Sequence, residues 1–164
     1  MTARRSPGEL DLLMRELGSD LDLRFVGPAG WWEDADLEAA RSDRGTPRGK
    51  DLAIVRGEPS AEQMLINRLM THKGELAALG HPEYGSAHHE LLGQPNVART
   101  RNLIKLRVLE ALRHEPRIAK VLSAKVYAPH DPPRDEVRID LVIELIGAPD
   151  PLNLVVPFSL EVAS

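Results

Sequence analysis

The sequence predicts an α+β fold: N-terminal helices and short strands, then one long central helix packed on a three- to four-stranded antiparallel sheet at the C-terminal end. Two observations carry that expectation. Apolar residues recur at helical spacing from Val97 to His114, and from residue 121 onward the pattern switches to alternation of apolar and polar residues. With 164 residues, 42% hydrophobic and 28% charged, the chain is long enough to build one compact domain around a real core.

The first element is a short amphipathic helix over residues 6–17. Ser6 stands at its N-cap, Pro7 at its first position and Glu9 closes a capping box, while Leu10, Leu13, Met14 and Leu17 share one face. Gly18 stops it, and residues 18–164 are read as a single α+β domain. Leu21, Leu23 and Phe25 alternate with Asp22 and Arg24 as in a half-buried strand. Residues 27–50 are rich in Gly, Pro, Asp and Arg and read as a surface loop, with a helical turn around Asp36–Arg41 and the pair Trp31-Trp32 near its start. DLAIVR at 51–56 is another short strand.

Ser60-Ala61-Glu62-Gln63 reads as a capping box that opens a helix carrying Met64, Leu65, Leu69 and Met70, interrupted at Gly74. A helical turn over Glu75–Leu79 leads into the punctuated loop HPEYG at 81–85, and Ser86 is placed to cap a second short helix to Leu92. Asn96 then caps the long helix. Its apolar residues fall on two arcs, Val97, Ile104, Val108, Ala111 and Leu112 on one and Leu103, Leu106 and Leu109 on the other, so both sides are expected to be covered. Three alternating strands follow, Val121–Tyr127, Val137–Leu145 and Leu152–Val162. Their connections, APHDPPRDE and GAPDP, suit an antiparallel meander. Pro157 has no N–H to give a ladder, which puts the last strand at an edge or makes it bulge there.

Composition narrows the chemistry. The absence of cysteine removes disulfides, thiolate metal sites and thiol nucleophiles. A formal net charge of −4 gives no long-range field for nucleic acid, and the helix cations, Arg99, Arg101, Lys105, Arg107 and Arg113, scatter around its axis. Aromatic residues make up only 4% of the chain, too few for a stacking platform. No apolar run is long enough to cross a membrane, and the start MTARRSPGELDLL lacks the apolar stretch of a secretion signal, so a cytoplasmic protein without membrane insertion is expected.

Several constellations fail as sites. G45-TPR-G49-K50 imitates a phosphate loop, but its glycines are one residue too close and Asp51 stands where the magnesium-binding hydroxyl belongs. His72, His81, His88 and His89 lack a ligand spacing and read as surface or capping histidines, so neither a metal nor a cofactor is expected. Glu75, Glu83 and Glu115 sit near helix ends without a marked carboxylate pair, and no catalytic residue is assigned.

The conflict at Glu115 is more informative. An anion at a helix C-terminus is disfavoured by about 0.3–1 kcal/mol, and Pro116 ends the helix immediately behind it. Glu115 and Arg117 either form an acid–base clamp for another chain or pair within the chain and lock the corner between helix and strand.

These segments, in their order, resemble the gene 25-like baseplate wedge family of contractile phage tails, type VI secretion systems and extracellular injection particles. The matching residues are Gly18-Ser19-Asp20-Leu21, DLAIVRG at 51–57, INRLMTHKGEL at 66–76, HPEYGS at 81–86, Asn96, and ALRHEPRI at 111–118 with its Glu-Pro-Arg signature. Two departures stand out: Glu58-Pro59-Ser60-Ala61 replaces the family's Glu-Asn-Leu-like start of the helix, and the stretch 27–50 is longer than usual.

The resemblance implies a structural wedge component, not an enzyme, present in about six copies per baseplate and assembled there from the cytoplasm. It would grip the helical core bundle of the wedge and template the first ring of contractile sheath, with the central hub or spike as a further neighbour. Glu115, Pro116 and Arg117, together with Trp31, Trp32 and Tyr84, are the expected partner-binding residues. The strand bearing Leu152, Leu154, Val156, Phe158 and Leu160 is the expected sheath-docking edge. The alternative is a peptidoglycan-cleaving, lysozyme-like glycosidase, a label that members of this family have also carried.

Overall fold

The computed structural model describes residues 15–26, 34–41, 50–129 and 135–161, with backbone alone at 24–26, 34–36 and 41. Its mixture of helices and an antiparallel C-terminal sheet is the expected α+β class. The chain divides into two compact units, Met1–Gln63 and Met64–Ser164.

The first unit is built from very short strands. β1 (Ser19–Leu21) pairs with β6 (Ile54–Arg56), β2 (Leu23–Val26) with β3 (Asp34–Leu37), and β4 (Ala39–Arg41) with β5 (Lys50–Leu52), all antiparallel. The three arms meet at three residues that belong to no strand. Asp22 N–H donates to Ala53 O (2.9 Å), Ala53 N–H to Glu38 O (2.9 Å) and Glu38 N–H to Asp22 O (3.0 Å), which closes a ring of backbone hydrogen bonds. Each corner reads apolar-x-apolar, and its flanking residues pair across the arms as Leu21 with Ile54, Leu23 with Leu37, and Ala39 with Leu52.

This arrangement corrects three expectations. Residues 34–37 and 39–41 are strands, not loop or helical turn. The single strands expected at 21–25 and 51–56 are each broken by a corner residue, Asp22 or Ala53. Backbone pairing around a corner needs no buried face, so these strands leave little alternation to read: β1 and β5 are exposed throughout. The helix expected over 6–17 lies outside the described residues except at 15–17, which are helical and end at Gly18 with φ +78°.

Helix α1 (Glu58–Met70) starts two residues before the expected cap. Gly57, at φ +68°, donates its N–H to Gly18 O, and its own carbonyl accepts the Ala61 N–H. Ser60 and Gln63 are buried within the first turns instead of closing a capping box. Gln63 serves the corner: its Nε2 donates to Leu21 O (2.7 Å) and its Oε1 accepts Leu23 N–H (2.8 Å), bridging the backbone on both sides of Asp22.

In the second unit, α1 ends at Met70, and the chain turns back so that residues 71–74 pair with 84–86. Gly85 is required there. Its φ is +96°, and an added Cβ would lie 2.7 Å from His72 C and 2.8 Å from Thr71 O. The helical turn expected over 75–79 is a 3₁₀ turn at Ala77–Leu79, and 3₁₀ helix over Ala87–Leu91 stands in place of the short helix expected to run to Leu92.

Helix α2 (Ala98–Arg113) buries Ile104, Val108, Ala111 and Leu112 and packs against β7 (Ile118–Tyr127) and the Ala87–Leu91 turn. The two predicted arcs are covered unequally: on the first Val97 is exposed and the other four residues are buried, and on the second Leu109 is half-buried while Leu103 and Leu106 are exposed. Asn96 does not cap the helix, because its side chain is drawn across to the sheet: Nδ2 donates to Glu136 O and Oδ1 accepts Arg101 Nη1.

The sheet runs β7-β8-β9, with β8 (Glu136–Leu145) in the middle and β9 (Leu152–Ser159) at the outer edge. Alternation predicts it well. Val137, Ile139, Leu141, Ile143 and Leu145 of β8 and Leu154, Val156 and Phe158 of β9, with Leu160 just beyond it, are buried, and complete burial of such a side chain is worth about 1.5–3 kcal/mol. The register of β9 on β8 is regular through Pro157, so of the two expectations for that proline the edge is realised. The register shifts fall in β7 instead, at Ile118/Lys120 and Val121/Ser123.

Candidate functional site

The corner between α2 and β7 holds the most unusual chemistry of the second unit. The Glu115 side chain is 3% exposed, yet its carboxylate is surrounded by donors. Oε1 accepts Arg117 Nε at 2.7 Å and Arg117 N–H at 3.2 Å, and Oε2 accepts Arg68 Nη2 at 3.1 Å. Two guanidiniums thus offset both the desolvation of the carboxylate and its unfavourable place at a helix C-terminus. Of the two readings left open for Glu115 and Arg117, the pairing within the chain is the one observed.

Arg68 extends the network to α1. It is buried, and the face of its guanidinium lies over the Tyr84 ring at 4.5 Å, a cation–π contact. Tyr84 is therefore half-buried against Arg68, and Pro116 is exposed at the turn. Sequence reasoning missed Arg68, although a signal exists: with Met64, Leu65 and Leu69 it forms one buried stripe of α1, where a cation requires an anion. Trp31, Trp32 and the stretch resembling a phosphate loop lie outside the described residues apart from Lys50.

The histidines correct another expectation. His88 is 1% exposed, not on the surface. Its Nδ1 is 2.7 Å from Ser86 Oγ, and its ring meets Phe158 edge-on at 4.6 Å and His89 at 4.1 Å. His89 stacks in turn on His72 at 4.2 Å and bonds Leu69 O through Nε2 at 2.8 Å. Burial, reinforced by the neighbouring imidazoles, pushes the His88 pKa down to about 3. Burial also lowers that of His89, against the Leu69 carbonyl bond, so both rings are neutral near pH 7. Ser86 is turned into this stack and gives the following turn no side-chain cap. Among the described residues no three His, Asp or Glu side chains are arranged to hold a metal ion.

The other two flagged carboxylates are exposed. Glu75 accepts the His72 N–H at 3.0 Å. Glu83 pairs with Lys73 at 3.0 Å, a hydrogen bond and charge that hold its carboxyl below the usual range.

On β9 the side chains of Leu154, Val156, Phe158 and Leu160 are buried and Leu152 half-buried, so these five residues offer a partner little but backbone, while Asn153 and Val155 expose their side chains on the opposite face. Leu160 N–H donates inward to Asp135 O, which by the two-residue period turns the peptide groups of Asn153, Val155 and Ser159 outward. Pro157 falls in that outward set, where its missing N–H costs the internal ladder nothing. Among the described residues no strand covers this edge or the outer edge of β7.

No family model and no curated protein matches the chain. A solved structure does: a protein from Geobacter sulfurreducens described as a "putative tail lysozyme", 27% identical, with a TM-score of 0.53, the match covering 63% of this chain and 90% of that one. Among the described residues, no helix is long and apolar enough to cross a membrane.

Proposed function

We propose that the chain is a structural subunit of the baseplate of a phage-tail-like contractile injection machine, seated in its wedge. The observation that carries this reading is the likeness, at 27% identity over 63% of this chain and 90% of the other, to a protein named for a tail. The motifs in register from Gly18 to Ile118 support it. In this reading the Arg68–Glu115–Arg117 network is a brace. It holds Pro116 and the partly exposed Arg117 in a fixed geometry for the helical core of the wedge, while the outward edge of β9 receives a sheath strand by backbone hydrogen bonding. A tagged copy made beside the genes of such a machine is expected to co-purify with a six-fold particle visible by electron microscopy. Recovery solely as free protein from cells that assemble the particle would refute the assignment.

The neighbour's name favours a second reading, a peptidoglycan-cleaving glycosidase. Such an enzyme needs one carboxyl kept protonated and a second facing it across a cleft. Glu115 is instead occupied by two guanidiniums, and Glu83 is pushed toward ionisation by Lys73. Clearing of a peptidoglycan suspension by the purified chain, abolished by Glu83→Gln, would establish the enzyme; an inert chain agrees with the structural role.

A further inference from the structure

The uncovered side of α2 carries a pattern that the brace and the sheet edge do not use. Leu103 and Leu106, one turn apart, are 37% and 50% exposed. At 100° per residue, Arg99 and Arg113 fall on the same side of the helix as Leu106, one toward each end of the helix, whereas Lys105 points about 100° away from Leu106. All three cations are exposed, and none has a carboxylate within ion-pair distance among the described residues. The one acid of the helix, Glu110, is occupied by Arg107 at 3.0 Å. A chain of net charge −4 thus collects unneutralised positive charge around two exposed leucines.

The stripe through Leu103 continues along the helix as Arg107, Glu110 and His114, and there it opens into a cleft of about 310 Å³. The far wall is the Lys73–Glu83 pair, and Gly85 is the smallest residue lining the space between. Apolar ridge and cleft form one strip along α2.

We infer that this strip docks an acidic amphipathic helix of a neighbouring protein. Two leucines at i and i+3 make the short ridge that a second helix receives between its own side chains. Arg99 and Arg113, toward the two ends of the helix, select glutamate or aspartate near both ends of the partner's apolar stripe. The cleft takes the partner's long side chain beyond Leu103. Nucleic acid fits the strip poorly, because leucines occupy its centre where phosphates would need donors. The inference deepens the wedge reading in one respect only, since that reading says which protein supplies the helix.

The test uses the full chain and a pair of synthetic helical peptides, one with leucine at three- and four-residue spacing flanked by glutamate, the other its twin with lysine for every glutamate. Fluorescence anisotropy is expected to show the acidic peptide binding at least tenfold more tightly than its twin and weakening as salt is raised. Arg99→Gln/Arg113→Gln and, separately, Leu103→Ser/Leu106→Ser are each expected to reduce binding at least tenfold while the melting temperature stays well above that of the assay. Equal affinity for the twins, binding to neither, or unchanged affinity in both variants overturns the inference. Its failure is separable from that of the wedge reading: a chain that enters the particle while both variants enter equally well retains the wedge and loses the strip.

Discussion

In the first unit, strands of three and four residues are joined by a ring of backbone hydrogen bonds at Asp22, Glu38 and Ala53, and Leu21, Leu37, Leu52 and Ile54 beside it stay exposed. In the second, β8 and β9, of ten and eight residues, bury every other side chain, while β7, which packs on α2, is half-buried at alternate stretches. The same ladder chemistry is held by peptide groups in one case and by apolar burial in the other. The difference teaches where stability resides. A backbone junction depends on a few polar clamps, whereas a packed sheet tolerates surface change but not a disturbed buried charge.

The largest expected effect tests the second unit at its brace. Glu115→Gln leaves Arg68 buried without its anion and should cost about 3–5 kcal/mol, read as a lowered urea midpoint. Arg117→Ala, at the more exposed end of the same network, should cost clearly less. A near-neutral Glu115→Gln would show that packing alone holds the corner. It also follows that charge reversal at Glu115 cannot report assembly cleanly, since the chain itself would be destabilised; surface substitutions at Arg117 are the better probe.

The histidine stack sharpens the comparison through pH. His88 is neutral in the folded chain until about pH 3 but takes up a proton near pH 6.5 once unfolded, so the unfolded state binds more protons in between. Stability is therefore fully present above pH 6.5 and falls as pH drops toward 3, by up to about 1.4 kcal/mol per pH unit. His88→Phe should flatten this acid limb in urea titrations at several pH values. An unchanged slope would assign it to other groups.

A smaller effect is expected at the junction. Gln63→Ala removes both clamps around Asp22 and should cost about 1–2 kcal/mol, seen as faster amide exchange at Leu23 and Glu38 with the β8 amides unchanged. Smallest in stability is Pro157→Val, within about 0.5 kcal/mol, because position 157 faces outward. Its consequence should instead be self-association, detected by sedimentation, since the new N–H completes the donor row of a free edge.

The contrast between the units also explains what was legible. The sheet announced itself because burying one face forces apolar residues to alternate from Val137 to Leu145. α2 announced its length but not which arc is covered, for Leu103 and Leu109 look as eligible as Ile104 and Val108 until the sheet is in place. Capping was misjudged where a side chain found a distant partner, Gln63 at Leu21 and Asn96 at Glu136, and at Ser86, whose hydroxyl is taken by the buried ring of His88 two residues on. Local spacing can propose a cap, but it cannot weigh a competing bond made by another part of the chain.

By itself, then, the order of residues determined the α+β class, the three C-terminal strands and the charged corner at Glu115-Pro116-Arg117, because periodicity and proline act over a few residues. Tertiary structure alone decided that Glu115 is met by Arg68, 47 residues earlier, that three broken strands close one ring, and that four of the histidine and phenylalanine rings come together. Those outcomes depend on which distant groups the folded chain brings within hydrogen-bonding or van der Waals reach, a quantity that no local pattern encodes.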